Sequence, residues 1–159
     1  MTTENSQRLD LNTHAERTYS AMHRLASTAA QAAQEAGLES ALLELVRIRA
    51  SQINGCAFCI DMHTIDARNA GETEQRIYAL NAWEETPFFT ERERAALEFT
   101  EAVTLVHDGH VPDDAYRRAQ KVFGDEQLSH LLFVIVAINS YNRLAITQRL
   151  TPGNYKPSA

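Results

Sequence analysis

Apolar positions along the chain recur at helical spacing. Behind Thr13-His14-Ala15-Glu16, which reads as a capping box, Tyr19, Met22, Leu25, Ala26 and Ala29 follow on one helix face, and Gly37 supplies a stop. Ser40 is placed to cap a second helix over about 41–53, broken by Asn54-Gly55. A third helix is predicted from about Cys56 to Ala70, closed by Gly71, and a short fourth over about 74–83, ended by Pro87-Phe88-Phe89. Thr90-Glu91-Arg92-Glu93 is the cleanest capping box in the chain and opens a helix to about His107. Gly109 and Pro112 separate it from a helix over 114–123, after which Gly124-Asp125 starts a long helix through about Ile146. No stretch reads as a convincing strand, and no internal repeat or low-complexity segment is present. The pattern predicts an all-α, single-domain bundle of about seven helices across 1–159, with a polar tail at 151–159 too poor in apolar residues to fold alone.

Within the last helix, Leu128 and residues 131–138 are apolar on nearly every face. Such a helix must be buried all round. The centre of the bundle would do this, and so would an interface between copies of the chain; the pattern leaves both open.

Length and charge narrow the class. A chain of 159 residues buries roughly two-thirds of its unfolded surface, so neither a metal nor a disulfide is needed for folding. The formal charge of -6, with lysine only at Lys121 and Lys156, argues against nucleic-acid or anionic-membrane partners, which need a basic face. The segment 1–8 is polar and lacks the apolar core of a signal peptide. No apolar run approaches the ~20 residues of a membrane span. A reducing cytoplasm is therefore expected, where two cysteines are more often redox-active or metal-binding than structural.

The chemistry concentrates in Gly55-Cys56-Ala57-Phe58-Cys59-Ile60-Asp61-Met62-His63. On a helix starting at Cys56, residues 56, 59 and 63 share one face. Cysteines three apart then have Cα atoms ~5 Å from each other, inside the window a disulfide tolerates, so the pair can open and close without rebuilding the backbone. A thiol reacts as its thiolate, and lowering its pKa from ~8.5 to ~6.5 requires about 2.7 kcal/mol. A helix N-terminus supplies only ~0.3–1 kcal/mol of that. His63, one turn beyond Cys59, is positioned to supply the remainder or to take the proton. Reflecting the chain about Asn54-Gly55, as in an antiparallel helical hairpin, places Glu44 opposite residues 63–65, where a carboxylate would orient the imidazole and pass protons. Two blander assignments stand beside this one: cysteines as small core residues, and a zinc site from Cys56, Cys59, His63 and Glu44 or Asp61. Glu44 also has Arg47 three residues on as a simple ion-pair partner. His14, His23, His107 and His110 read as loop or surface residues, while His130 opens the apolar helix and could approach the site. Trp83, Phe88 and Phe89 read as core packing, and Asn139 and Asn142 as hydrogen-bonding groups at the end of a buried helix.

Glu44, then twelve residues on Cys56-x-x-Cys59, then four on His63, resembles the alkylhydroperoxidase D family of the carboxymuconolactone decarboxylase superfamily. The likeness continues through Ala82-Trp83, the run from Phe89 to Leu97, and Ile138-Asn139-Ser140-Tyr141-Asn142-Arg143, covering about residues 40–146. The resemblance implies an all-helical fold assembled as a trimer or hexamer, without a cofactor or resident metal. It also implies reduction of organic hydroperoxides or hydrogen peroxide through a sulfenic acid at Cys59. Cys56 would resolve that acid into the disulfide, with Glu44 and His63 as proton relay. A lipoyl-bearing or thioredoxin-like protein would be the reductant. One departure is Phe58, which stands where the best-known members carry a histidine and so shortens the relay by one group. Helix-dipole logic alone favours Cys56 as the lower-pKa thiol, whereas the family assigns peroxide attack to Cys59. A lactone decarboxylase of the same superfamily, and a redox-sensing or metal-binding protein with little turnover, are the alternative functions.

Overall fold

The computed structural model describes residues 8–157, so all but Arg8 of the polar start read at 1–8, and the last two residues of the tail, lie outside it. In chain order the described elements are α1 Leu11–His14, α2 Glu16–Glu35, α3 Ser40–Asn54, α4 Ala57–Asn69, α5 Glu74–Ala79, a 3-10 segment Leu80–Glu85, α6 Glu91–Thr104 and α7 Asp113–Gln148. The fold is all-α, with no strand among the described residues.

Helix ends show which local signals the chain uses. The box at Thr90 forms as predicted: the Thr90 hydroxyl accepts the Glu93 amide and the Glu93 carboxylate accepts the Thr90 amide. The box at Thr13 does not form. Asp10 instead accepts the Asn12 and Thr13 amides and starts the one-turn α1, and Ala15 begins α2 with no side-chain cap. Asp10 also accepts the Thr13 hydroxyl at 2.7 Å, and the Thr13 amide that the Glu16 carboxylate would need is already bound to an ionised carboxylate. Ser40 likewise does not cap; it is the first residue of α3, behind Glu39. The fourth predicted helix is split: α5 ends at Ala79, the chain tightens to 3-10 over Leu80–Glu85, and Ala82 inside that segment leaves the helical region at φ −125°. Gly124, at φ 67° and ψ 175°, breaks α7 where the sequence suggests, a conformation that a side chain would strain.

The long α7 is central, packing against α2, α3 and α6. Its buried face carries Leu128, Leu131, Val134, Ile135, Ala137 and Ile138. By length and mean hydropathy, 1.2 over its most apolar window of 18 residues, it qualifies as a membrane span, a test that core helices also pass. Of the two ways to bury 131–138 all round, the centre of the bundle is not the one used, which leaves an interface between copies. Leu132, Phe133 and Val136 are 38%, 56% and 44% exposed, because α2, α3 and α6 do not enclose the outer face of α7.

The tail is irregular and is tied to α4. The Gly153 amide donates to Asp61 Oδ2 at 2.8 Å, and the Tyr155 hydroxyl donates to Asp66 Oδ1 at 2.8 Å. Two directed hydrogen bonds thus place a segment whose composition offers almost no burial.

Candidate active site

The α3–α4 hairpin builds the site. Gly55 at φ 69° takes the left-handed position that ends α3, and Cys56 then caps α4, its Sγ accepting the Cys59 amide at 3.3 Å. Below the turn, Asn54 donates to Asn139 Oδ1 at 2.9 Å and Asn142 Oδ1 at 2.8 Å, and Asn142 donates to Ser51 at 3.0 Å. The α7 asparagines therefore brace the turn that presents the cysteines, while Asn139 also meets the backbone of Ile135.

Cys56 and Cys59 are joined as a disulfide, their Cα atoms 5.3 Å apart. Both are buried, at 1% and 2% exposure. They differ in what they face: Cys59 lines a cavity of about 460 Å³ bounded by residues of α2, α3, α4 and α7, and Cys56 does not. His63 lines the same cavity one turn beyond Cys59. Its Nδ1 lies 2.9 Å from Glu44 Oε2, so the hairpin geometry inferred from the sequence is the one the chain adopts.

Glu44 is bonded on both sides, since Arg47 donates to its other oxygen. Burial pushes the carboxyl up, but the His63 hydrogen bond and the Arg47 charge outweigh it and hold Glu44 below the ordinary carboxylate range. An ionised Glu44 can only accept. The proton of that hydrogen bond is therefore on His63 Nδ1, and Nε2 is left to exchange a proton.

Phe58 forms part of the cavity wall and packs with the cluster of Cys56, Cys59 and Ile138. The zinc set drawn from Cys56, Cys59, His63 and Glu44 or Asp61 is not assembled: the sulfurs bond each other, and Asp61 accepts from Gly153. A different cluster is present, in which donor atoms of Glu44, His63 and Asp66 lie within 4.8 Å of one another. A divalent ion there would compete with Arg47 for Glu44 and with Tyr155 for Asp66.

His14, His107, His110 and His130 do not line the cavity. His23 does, and it is hydrogen-bonded through Nδ1 to the Tyr141 hydroxyl at 2.7 Å. The reading of His23 as a surface residue captured its exposure but missed this role. The signal was available: Tyr19, His23, Ala26, Ser27 and Ala30 fall on one face of α2, and all line the cavity. Trp83 and Phe89 pack in a separate core cluster with Leu45 and Ile48, as expected for packing residues, with Phe88 against it.

Residues 19–102 match the model of the Carboxymuconolactone decarboxylase family. Among curated proteins, the uncharacterized protein YdfG of Bacillus subtilis is 54% identical over 103 residues, which span 65% of this chain and 70% of that one. A crystal structure from Agrobacterium tumefaciens, ATU0492, a protein of unknown function provisionally named an antioxidant defence protein, AhpD, superposes with a TM-score of 0.86 at 35% identity, covering 94% of this chain and all of that one. An uncharacterized peroxidase-related protein from Silicibacter sp. TM1040 shares the fold, with a TM-score of 0.73, 20% identity and coverage of 85% and 70%.

Proposed function

The chain belongs to the carboxymuconolactone decarboxylase family, and from that premise we propose that it is an AhpD-like dithiol peroxidase that reduces hydroperoxides. The observation that carries the reading is the arrangement around Cys59. One sulfur of a disulfide-forming pair opens onto a mostly apolar cavity, beside a histidine whose far nitrogen is fixed by a glutamate. The name of the Agrobacterium protein points the same way.

In the reduced protein His63 Nε2 takes the Cys59 thiol proton, and the thiolate attacks the outer oxygen of the bound hydroperoxide. The O–O bond breaks, Cys59 becomes a sulfenic acid, and the alkoxide leaves as an alcohol with the proton His63 returns. Glu44 stabilises the imidazolium between these steps. Cys56 Sγ then attacks the Cys59 sulfur, water leaves, and the disulfide forms. Its place at the α4 N-terminus, accepting the Cys59 amide, favours the Cys56 thiolate. A dithiol reductant, of lipoyl-bearing or thioredoxin-like type, supplies two electrons and two protons to reopen the pair. The sum is one hydroperoxide and one dithiol converted to alcohol, water and disulfide. Phe58 gives the approach to Cys59 an apolar side, which suits an organic hydroperoxide better than hydrogen peroxide.

A lactone decarboxylase has no use for a dithiol, and the intact pair is what favours the redox assignment. Peroxide consumption by the reduced protein, with cumene hydroperoxide and dihydrolipoamide, tests it. Turnover should fall at least ~10³-fold in Cys59→Ser. Disulfide formation without turnover would instead make the protein a redox sensor, and undiminished activity in the mutant would sink the assignment. The family resemblance implies a trimer or hexamer, and the exposed Leu132, Phe133 and Val136 stripe supports an interface between copies. Light scattering should show that state lost in Phe133→Asp.

A further inference from the structure

The cavity that receives Cys59 has a second polar feature, on α2 and α7. Tyr19 packs edge-on against the His23 ring, 4.6 Å between centroids, and His23 Nδ1 lies 2.7 Å from the Tyr141 hydroxyl. All three residues border the cavity together with Cys59 and His63. Burial, with a smaller contribution from Tyr19, pushes the Tyr141 phenol up to about 12. The phenol keeps its proton at neutral pH, and either it donates to Nδ1 or Nδ1–H donates to it. In either arrangement His23 Nε2 and the Tyr141 oxygen keep one free donor and one free acceptor between them, with no further hydrogen-bond partner among the described residues.

Most of the remaining wall is apolar, contributed by Ala26, Ala30, Phe58, Met62, Val134 and Ile138. A free donor next to a free acceptor, set in such a wall, is complementary to a hydroxyl group, which accepts from one and donates to the other. A carboxylate, which only accepts, would set an oxygen against the acceptor of the pair. Arg47, also on the cavity, is already paired with Glu44. The volume of about 460 Å³ corresponds to roughly 15 water molecules at about 30 Å³ each, which sets the size of the occupant.

We propose that the His23–Tyr141 pair anchors a hydroxyl group on an apolar molecule of about 10–15 heavy atoms, so that the site takes hydroxylated organic hydroperoxides in preference to unsubstituted ones. The hydroperoxide half of this statement rests on the peroxidase reading; the hydroxyl anchor does not.

The test separates the two. Titrating the reduced protein with 2-naphthol and with naphthalene, followed by ligand fluorescence, compares two molecules of the same shape that differ by one hydroxyl. The native protein should bind 2-naphthol about fivefold more tightly or better, as one net hydrogen bond allows. In Tyr141→Phe the ratio should fall to about one with naphthalene affinity unchanged, and His23→Gln, whose amide still donates and accepts, should keep part of it. Equal affinities in the native protein overturn the anchor without recourse to any variant, as does a preference that survives in Tyr141→Phe. A naphthol preference without hydroperoxide turnover upholds the anchor and removes the peroxidase reading. Turnover without the preference does the reverse.

Discussion

Glu44 on α3 and Glu93 on α6 are alike in most local respects. Both are half-buried, both are paired with an arginine, and in both burial raises the carboxyl while hydrogen bonds and the arginine charge bring it below its ordinary range. They differ in where their bonds lead. Glu93 accepts from Arg76 at 2.5 Å and from the Thr90 amide at 2.8 Å, and Arg76 continues to the Phe88 carbonyl and Glu72. Each of these bonds ends on backbone or on another charge, which fixes the turn before α6. Glu44 passes its second oxygen to His63, which faces a cavity beside a cysteine. A shifted carboxylate therefore marks a strong electrostatic environment, and the neighbour decides whether that environment does chemistry or holds a loop.

Neutralising each glutamate should pull the two apart. The largest effect is expected for Glu44→Gln, which leaves His63 without its charge partner: kcat/KM for cumene hydroperoxide should drop about 10²-fold. Glu93→Gln should stay within about twofold in the same assay, and a comparable loss there would erase the distinction. On stability the order reverses. Urea unfolding should show Glu93→Gln costing about 2 kcal/mol, from a capping box and an ion pair weakened together. The cost of Glu44→Gln should be nearer 1 kcal/mol.

Acid sharpens the contrast further. A carboxylate whose folded pKa is depressed stabilises the fold fully above the unfolded value, and that contribution is lost as pH falls through the folded value. Both glutamates are of this kind. Between about pH 5 and pH 3 the native protein should therefore lose stability more steeply than either Gln variant, as thermal unfolding across that range would record. If the slopes of native and Glu93→Gln coincide, Glu93 is not held as described. The smallest effect belongs to Tyr155→Phe, which removes one hydrogen bond between the tail and Asp66. It should cost about 0.5–1 kcal/mol and speed amide exchange at Gly153 by severalfold.

How much of this was legible depends on the range of the interaction. The pair Cys56 and Cys59, and His63 one turn on, are fixed by a single helix, so spacing alone placed them on a common face. Glu44 was recoverable because only one tight turn, at Gly55, separates its helix from theirs. The Thr90 box was readable for the same reason, as it closes over four residues. The Thr13 box failed because Asp10, three residues earlier, takes the Thr13 amide that the Glu16 carboxylate would have to accept. His23 and Tyr141 are 118 residues apart, and no local pattern pairs residues at that distance.

Local chain chemistry set the helices, the hairpin and the groups on one helix face, since periodicity, a left-handed glycine and i, i+3 and i+4 neighbours act within a turn or two of chain. Packing between distant segments set which cysteine meets the cavity, where the apolar outer face of α7 is left uncovered, and that a histidine from α2 meets a tyrosine from α7. Those outcomes depend on how α2 and α7 lie against the hairpin, which follows from the summed packing of the core rather than from any one segment.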